Sequence, residues 1–175
     1  MNEQKIRLRN IIKELKKKYE PRNEKLSKAI MFKLEHDEDF IQAQTVLLYY
    51  SLPDEVDTHK LVEKYASKKR VLLPVVVDKN LELRTFTGEL QEGRYGIMEP
   101  VGQLFEDYDQ IDLVVVPGMA FSKVGHRLGR GKGYYDRLLP KLTRAKKIGI
   151  CFPYQVVKYV PIFPEDVRMD RIISV

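Results

Sequence analysis

Apolar residues recur at helical spacing from the start of the chain. Leu8, Ile11, Ile12, Leu15 and Tyr19 fall mostly three or four apart and predict a helix over 2–19. Pro21 interrupts it and suits the first turn of a second helix, where a missing N–H costs nothing. That helix carries Leu26, Ala29, Ile30 and Leu34 and fades at "HDED". The pattern then changes. "TVLLYYS" (45–51) is a short β-rich apolar run, read as a buried strand. A third helix over 58–68 presents Leu61, Val62 and Tyr65. "RVLLPVVV" reads as a strand in which Pro74 must sit at an edge or an end. "LELRTF" alternates like a half-exposed strand, and "DLVVVP" (112–117) is a buried one that stops at Pro117-Gly118. A helix is expected to begin inside the glycine-rich run that follows and to continue through "YYDRLLPKL", with "KIGICF" and "RIISV" as two last strands.

Strands alternating with helices imply a mostly parallel sheet covered on both faces. The expectation is one α/β domain over 1–175: three layers, a Rossmann-like sheet, and a helical part over about 1–40 packed on the core. No internal repeat or low-complexity linker divides it. In such folds a ligand lies at the carboxyl ends of the strands. The glycine-rich run follows a strand, so a ligand is expected there.

Composition sharpens this picture. The chain has 175 residues, of which 43% are hydrophobic, enough for a real core. Its 31 Lys and Arg outnumber 25 acids, for a formal charge of +6, which favours anionic partners without choosing among them. Cys151 is the only cysteine, so no intrachain disulfide can form; this fits a reducing compartment. Within "IGICF" it reads as a buried, inert thiol. The polar, basic start lacks the apolar core of a secretory signal, and no run approaches the roughly 18 to 20 apolar residues of a membrane span. A cytoplasmic location follows as an expectation.

The glycine-rich run is "GHRLGRGKGYYDR", with Gly125, Gly129, Gly131 and Gly133 among Arg127, Arg130 and Lys132. Bare backbone lets a ligand approach closely, consecutive N–H groups form an anion nest, and a following helix adds its positive end. The combination predicts a phosphate site. It is not a Walker A loop, because Gly131-Lys132 is followed by Gly133 and His126 stands five residues before Gly131. The dinucleotide fingerprint fails as well, since Tyr134 and Asp136 stand where its third glycine belongs. Asp136 suits a magnesium ligand, which takes carboxylate and phosphate oxygens. Tyr134 and Tyr135 offer aromatic faces and hydroxyls. From the residues alone, a basic module for single-stranded nucleic acid and a small-molecule kinase stay open beside a phosphate-using enzyme.

The longer stretch "VVVPGMAFSKVGHRLGRGKGYYDRLL" resembles the signature of the 5-formyltetrahydrofolate cyclo-ligase family, also called methenyltetrahydrofolate synthetases. Pro117, Gly118, Ala120, Phe121, Gly125, Arg127, Leu128, Gly129, Gly131, Gly133, Tyr134, Tyr135, Asp136 and Arg137 all match. Shorter echoes are "KIRLR", "YYSLPDEVDT", "GRYGIMEP" and "PEDVRMDRIIS". Ser122 departs where the family often has Asp, and Glu165 where it often has His.

The resemblance implies ATP-dependent closure of 5-formyltetrahydrofolate to 5,10-methenyltetrahydrofolate, with magnesium required and ADP and phosphate released. It implies ATP contacts from Lys5, Arg9, Arg127, Leu128, Gly129, Arg130, Gly131, Lys132, Gly133, Tyr134 and Tyr135. Folate contacts are expected from Tyr50, Glu55, Arg130 and Tyr134, and magnesium contacts from Asp136 and Asp170. Arg130 and Tyr134 are the residues implied at the seam where phosphate meets formyl oxygen. Lys5 and Arg9, four apart, share a helix face that borders the apolar stripe near Ile12. The protein is expected to act as a monomer on small molecules, with no nucleic-acid or membrane partner.

Overall fold

Asn2 opens the first helix. Its side-chain oxygen accepts from the N–H groups of Gln4 and Lys5, donors that have no partner of their own in a first turn. The computed structural model describes residues 2–175. Helix α1 (Glu3–Tyr19) passes through a 3-10 turn at Pro21 into α2 (Asn23–Glu35) and the short α3 (Glu38–Gln42), which Asp37 caps. Strand β1 (Thr45–Leu47), helix α4 (His59–Tyr65), β2 (Arg70–Val77) and β3 (Asn80–Thr85) follow, then a hairpin of β4 (Leu90–Glu92) and β5 (Met98–Pro100). The second half holds β6 (Leu113–Val116), β7 (Ala120–Ser122), β8 (Arg127–Leu128), α5 (Tyr134–Leu138), β9 (Lys146–Ile150), β10 (Val156–Val157) and β11 (Arg171–Ile173).

The main sheet has the order β11-β9-β6-β1-β2-β3, parallel throughout except for antiparallel β3. Strand alternation divides its apolar residues between two faces. Val46, Leu48, Leu113 and Val115 pack with Ile30, Leu34, Phe40, Leu61 and Val62 of α2, α3 and α4. Leu47, Val114 and Val116 pack with Leu138, Leu139 and Leu142 around α5. Each such burial contributes about 1.5–3 kcal/mol, and together they hold the three layers. The expected three-layer, mostly parallel architecture is present. Cys151 lies fully buried within it, and burial pushes its thiol up to about 12.

The chain runs outward from β1 through β2 and β3 on one side, and from β6 through β9 to β11 on the other. The order therefore reverses between β1 and β6, and the segments leaving their carboxyl ends open a crevice there. Pro74 helps to form one wall. Odd-numbered β2 residues bond to β3, as Val71 O accepts from Phe86 N–H; even-numbered ones face β1, as Leu72 O accepts from Leu48 N–H. At Pro74 the β1 pairing has already ended, so its missing donor faces an edge. The next donor on that edge, Val76 N–H, is taken by the buried Glu99 carboxylate of β5 at 2.7 Å.

A small second sheet, β10-β7-β8, lies beside the first. The turn joining β7 to β8 accounts for the first glycine of the run: Gly125 has φ +96°, and a Cβ there would stand 2.3 Å from the carbonyl oxygen of Met169. Ser122 fits this turn, its buried hydroxyl accepting from His126 N–H at 3.1 Å. Helix α1 packs on the small sheet through Ile12, against Met119, Ala120, Leu128 and Val160. Its inward stripe is Lys5, Arg9, Ile12 and Lys16, whereas Ile11 is 51% exposed. The helix is thus rotated toward its cations relative to the apolar stripe read from sequence. Among the described residues no helix is long and apolar enough to cross a membrane.

Candidate active site

The phosphate-type loop is Gly129–Gly133, between β8 and α5. Arg9 braces it from α1: its Nε donates to Gly129 O at 2.8 Å, and its guanidinium carbon would lie 3.5 Å from a Cβ at Gly131. Gly131 has φ +109°, a conformation that side chains disfavour, which keeps the loop backbone bare. Gly133 enters α5 with φ +73°. Burial works to lower the Arg9 pKa, and Asp136 and Asp166 work to raise it, so both carboxylates bear on the same cation. Lys5 meets Asp166 at 2.6 Å, and its ammonium lies 4.2 Å from the centre of the Phe163 ring.

Arg127 is buried beneath this loop. Its Nη1 donates to Pro117 O at 2.8 Å, and its Nη2 stands 3.5 Å from Asp136 Oδ1. Its Nε has no hydrogen-bond partner among the described residues. Burial lowers its pKa, offset first by Asp136. The guanidinium also lies over the ring of Tyr135, whose phenol burial pushes far up. Leu128 turns the other way, packing with Ile12. Its side chain belongs to the core, because alternation along β8 sends Arg127 and Leu128 to opposite faces, which leaves its backbone for the ATP contact expected of it.

The opposite end of the crevice is built by the segment after β1. Ser51 and Thr58 close it reciprocally, each side-chain oxygen accepting from the other's N–H at 3.1 and 3.0 Å. Asp57 caps α4 through His59 N–H at 2.9 Å, which leaves Glu55 for other work. Glu55 Oε1 accepts from Leu52 N–H at 2.8 Å, and its side chain is 12% exposed. Burial pushes this carboxyl above the ordinary glutamate range, only partly offset by the Leu52 N–H and Arg130. Tyr50 lies flat on His59, with ring centres 3.8 Å apart and planes 9° from parallel.

Arg130 links the two ends. Its Nη2 donates to Asp54 Oδ1 at 2.9 Å and stands 3.7 Å from Glu55 Oε2. Asp54 is held in turn by Lys16. Tyr134 has its hydroxyl 3.4 Å from that of Tyr95, a contact that holds its phenol pKa up. Tyr95 comes from the β4–β5 hairpin, where it adopts φ +59°. Lys132 points its ammonium toward the Tyr95 ring, 5.9 Å from the centre. One cleft of about 700 Å³ is lined by the cationic loop, Lys5, Arg9, Asp136, Asp166, Tyr50 and Glu55 together.

A family model described as the 5-formyltetrahydrofolate cyclo-ligase family matches residues 1–175. The chain belongs to this family. The cyclo-ligase chain is 29% identical over 144 residues to the Escherichia coli K12 5-formyltetrahydrofolate cyclo-ligase, covering 77% of this chain and 79% of that one. Its fold is similar to the solved Aquifex aeolicus 5,10-methenyltetrahydrofolate synthetase, with a TM-score of 0.85, 32% identity, and coverage of 97% and 88% of the two chains. The Mycoplasma pneumoniae 5,10-methenyltetrahydrofolate synthetase gives 0.73 and 28%, over 97% and 98%.

Of the two residues implied for magnesium, Asp136 lines the cleft and Asp170 does not. Asp170 lies where β11 begins, at the amino end of the parallel strands, and its carboxylate accepts from Lys147 N–H at 2.8 Å. The cleft is at the carboxyl ends. Asp166, four residues earlier, is the tail carboxylate that enters it, next to the exposed Glu165. Sequence reading gave Lys16, Asp54 and Tyr95 no role. The signal for Lys16 was its spacing from Lys5, Arg9 and Ile12. The nucleic-acid alternative is not favoured: the ring of Tyr135 is covered by Arg127, and Arg137 lies over that of Tyr134, 5.5 Å from its centre. The tyrosines thus do not form an open stacking platform.

Proposed function

We propose that the protein converts 5-formyltetrahydrofolate and ATP to 5,10-methenyltetrahydrofolate, ADP and phosphate, with magnesium. The observation that carries this is the single cleft with a cationic glycine loop at one end, a buried carboxylate at the other, and Arg130 between them. An N-formyl group is an amide, and its oxygen is a poor leaving group. The γ-phosphoryl moves from ATP to the formyl oxygen, breaking the P–O bond to the departing ADP and making one to the formyl oxygen. The folate N10 then attacks the activated carbon and loses its proton, and the C–O bond breaks to release phosphate.

The chain's share of this work is positioning and charge stabilisation. Lys5, Arg9 and the N–H groups of Gly129–Gly133 hold phosphates. Arg127, with an unpartnered Nε, fixes the floor of the loop. Glu55 accepts from the N–H edge of the pterin ring, and Tyr50 packs beside it. Arg130 and Tyr134 meet the charge that passes from phosphoryl group to formyl oxygen. Asp136 and Asp166 suit an ion that takes its remaining ligands from phosphate and water; the described residues hold no cluster of three or more metal-binding side chains. A magnesium ion held by Asp136 and Asp166 would neutralise phosphate charge.

Purified protein mixed with 5-formyltetrahydrofolate, ATP and magnesium should develop the methenyl chromophore. No chromophore, under conditions where another cyclo-ligase works, overturns the reading. A stable phosphorylated product in place of free phosphate would make it a kinase.

A further inference from the structure

We propose that Lys16 is a positioning residue for the reaction, acting on Arg130 through Asp54. The proposal rests on the reading above that Arg130 works where phosphate meets formyl oxygen. Among the described residues Lys16 is one of ten buried polar or charged ones and sits on the inward stripe of α1, its side chain 7% exposed. Its ammonium donates to Asp54 O at 2.8 Å and to Asp54 Oδ2 at 3.1 Å, which fixes both the backbone and the carboxylate of that residue. The other carboxylate oxygen, Oδ1, accepts from Arg130 Nη2. A chain of alternating charge therefore runs from Lys16 through Asp54 to Arg130, and Glu55 stands against the same Nη2.

This arrangement fixes one corner of the guanidinium. Arg130 Nε and Nη1 have no hydrogen-bond partner among the described residues and remain for a ligand. Asp54 and Arg130 are both more than two-fifths exposed, so neither is held by packing. A pair that exposed is worth little by itself and leaves both long side chains to wander. The buried ammonium adds the constraint. Burying a lysine is costly, and burial lowers its pKa against the pull of Asp54. A solvated lysine would serve a helix surface equally well. What burial adds here is a fixed Asp54.

The test is a double-mutant cycle in the full-length protein. Lys16→Met should lower kcat about tenfold, the scale expected when a charge-stabilising group loses its aim. Lys16→Arg should restore most of it. In an Arg130→Ala background, Lys16→Met should cause no further loss. A kcat unchanged by Lys16→Met, or an equal fold-loss with and without Arg130, overturns the proposal, because a purely structural lysine acts alike in both backgrounds. Asp54→Asn leaves α1 intact and should give the same non-additive pattern, which covers the case of a Lys16→Met protein that does not fold. Side-chain NMR reads the positioning without the reaction. The Arg130 Nη2 hydrogens, bonded to Asp54 Oδ1, should show slowed rotation about the Cζ–Nη2 bond in the ligand-free protein and lose that restriction in the Lys16 and Asp54 variants. Freely rotating Nη2 in wild-type Arg130 contradicts the proposal whether or not the protein turns over folate; an inactive wild type contradicts the functional reading alone.

Discussion

Replacing Glu55 with glutamine removes one negative charge and little else. The amide oxygen can keep the bond from Leu52 N–H, which is made to Oε1 alone. What is lost is Oε2 as an anionic acceptor at the buried end of the cleft. A hydrogen bond to a charged group is worth about 1.5–3 kcal/mol, so kcat/KM for the folate should fall about tenfold to a hundredfold. The KM for ATP should hardly change, because the glycine loop lies at the other end. Stability should behave differently. Burial raises the Glu55 pKa in the folded protein, so its favourable contribution is complete below the unfolded pKa and is lost as pH rises through the folded one. At neutral pH the buried charge is a liability, and Glu55→Gln should melt no lower than the wild type. The wild-type kcat/KM for folate should also decline on acidification, beginning above the ordinary glutamate range, and this decline should be absent from the variant. Chromophore assays across pH and thermal melts check both parts. An unchanged folate kcat/KM, or a defect confined to ATP, would refute the assignment.

Asp136→Asn and Asp166→Asn should each raise the magnesium needed for half-maximal rate, whereas Asp170→Asn should leave it unchanged; magnesium titrations of the three variants check this. Asp170→Ala should instead cost about 0.5–1.5 kcal/mol of stability through the lost bond from Lys147 N–H, read by denaturant unfolding. Gly131→Ala forces a side chain into a φ of +109° beside Arg9 and should raise the KM for ATP while the KM for folate stays put. The Arg171 hydrogen bonds hold Asp37 below its ordinary pKa, so this pair stabilises the fold above the unfolded pKa and is lost as pH falls through the folded one. Arg171→Met should therefore reduce stability at neutral pH and little at the acid end, as measured by unfolding across pH.

The parallel strands were legible because "TVLL", "DLVVV" and "KIGI" are continuous apolar runs, the pattern of strands buried on both faces. The glycine loop was legible because few structures need so much bare backbone among cations. The rotation of α1 was not. Lysine and arginine bury their stems while keeping a charged head, so an inward stripe of Lys5, Arg9, Ile12 and Lys16 looks like surface on a hydropathy count. The choice between Asp166 and Asp170 was equally hidden. Both lie in a tail where no period applies until β11 begins, and only the third dimension puts one at each end of the strands. The β4–β5 hairpin escaped notice because its strands are only three residues long, and what anchors it to β2 is a carboxylate, Glu99.

In the proposed reaction one cleft brings the γ-phosphoryl of ATP onto the formyl oxygen of the folate. Its most direct test uses 5-formyltetrahydrofolate carrying ¹⁸O in the formyl group, with ATP and magnesium. For each methenyl group formed, the account predicts one phosphate bearing that ¹⁸O atom. Methenyl product accompanied by unlabelled phosphate, with the ¹⁸O in water, would contradict it.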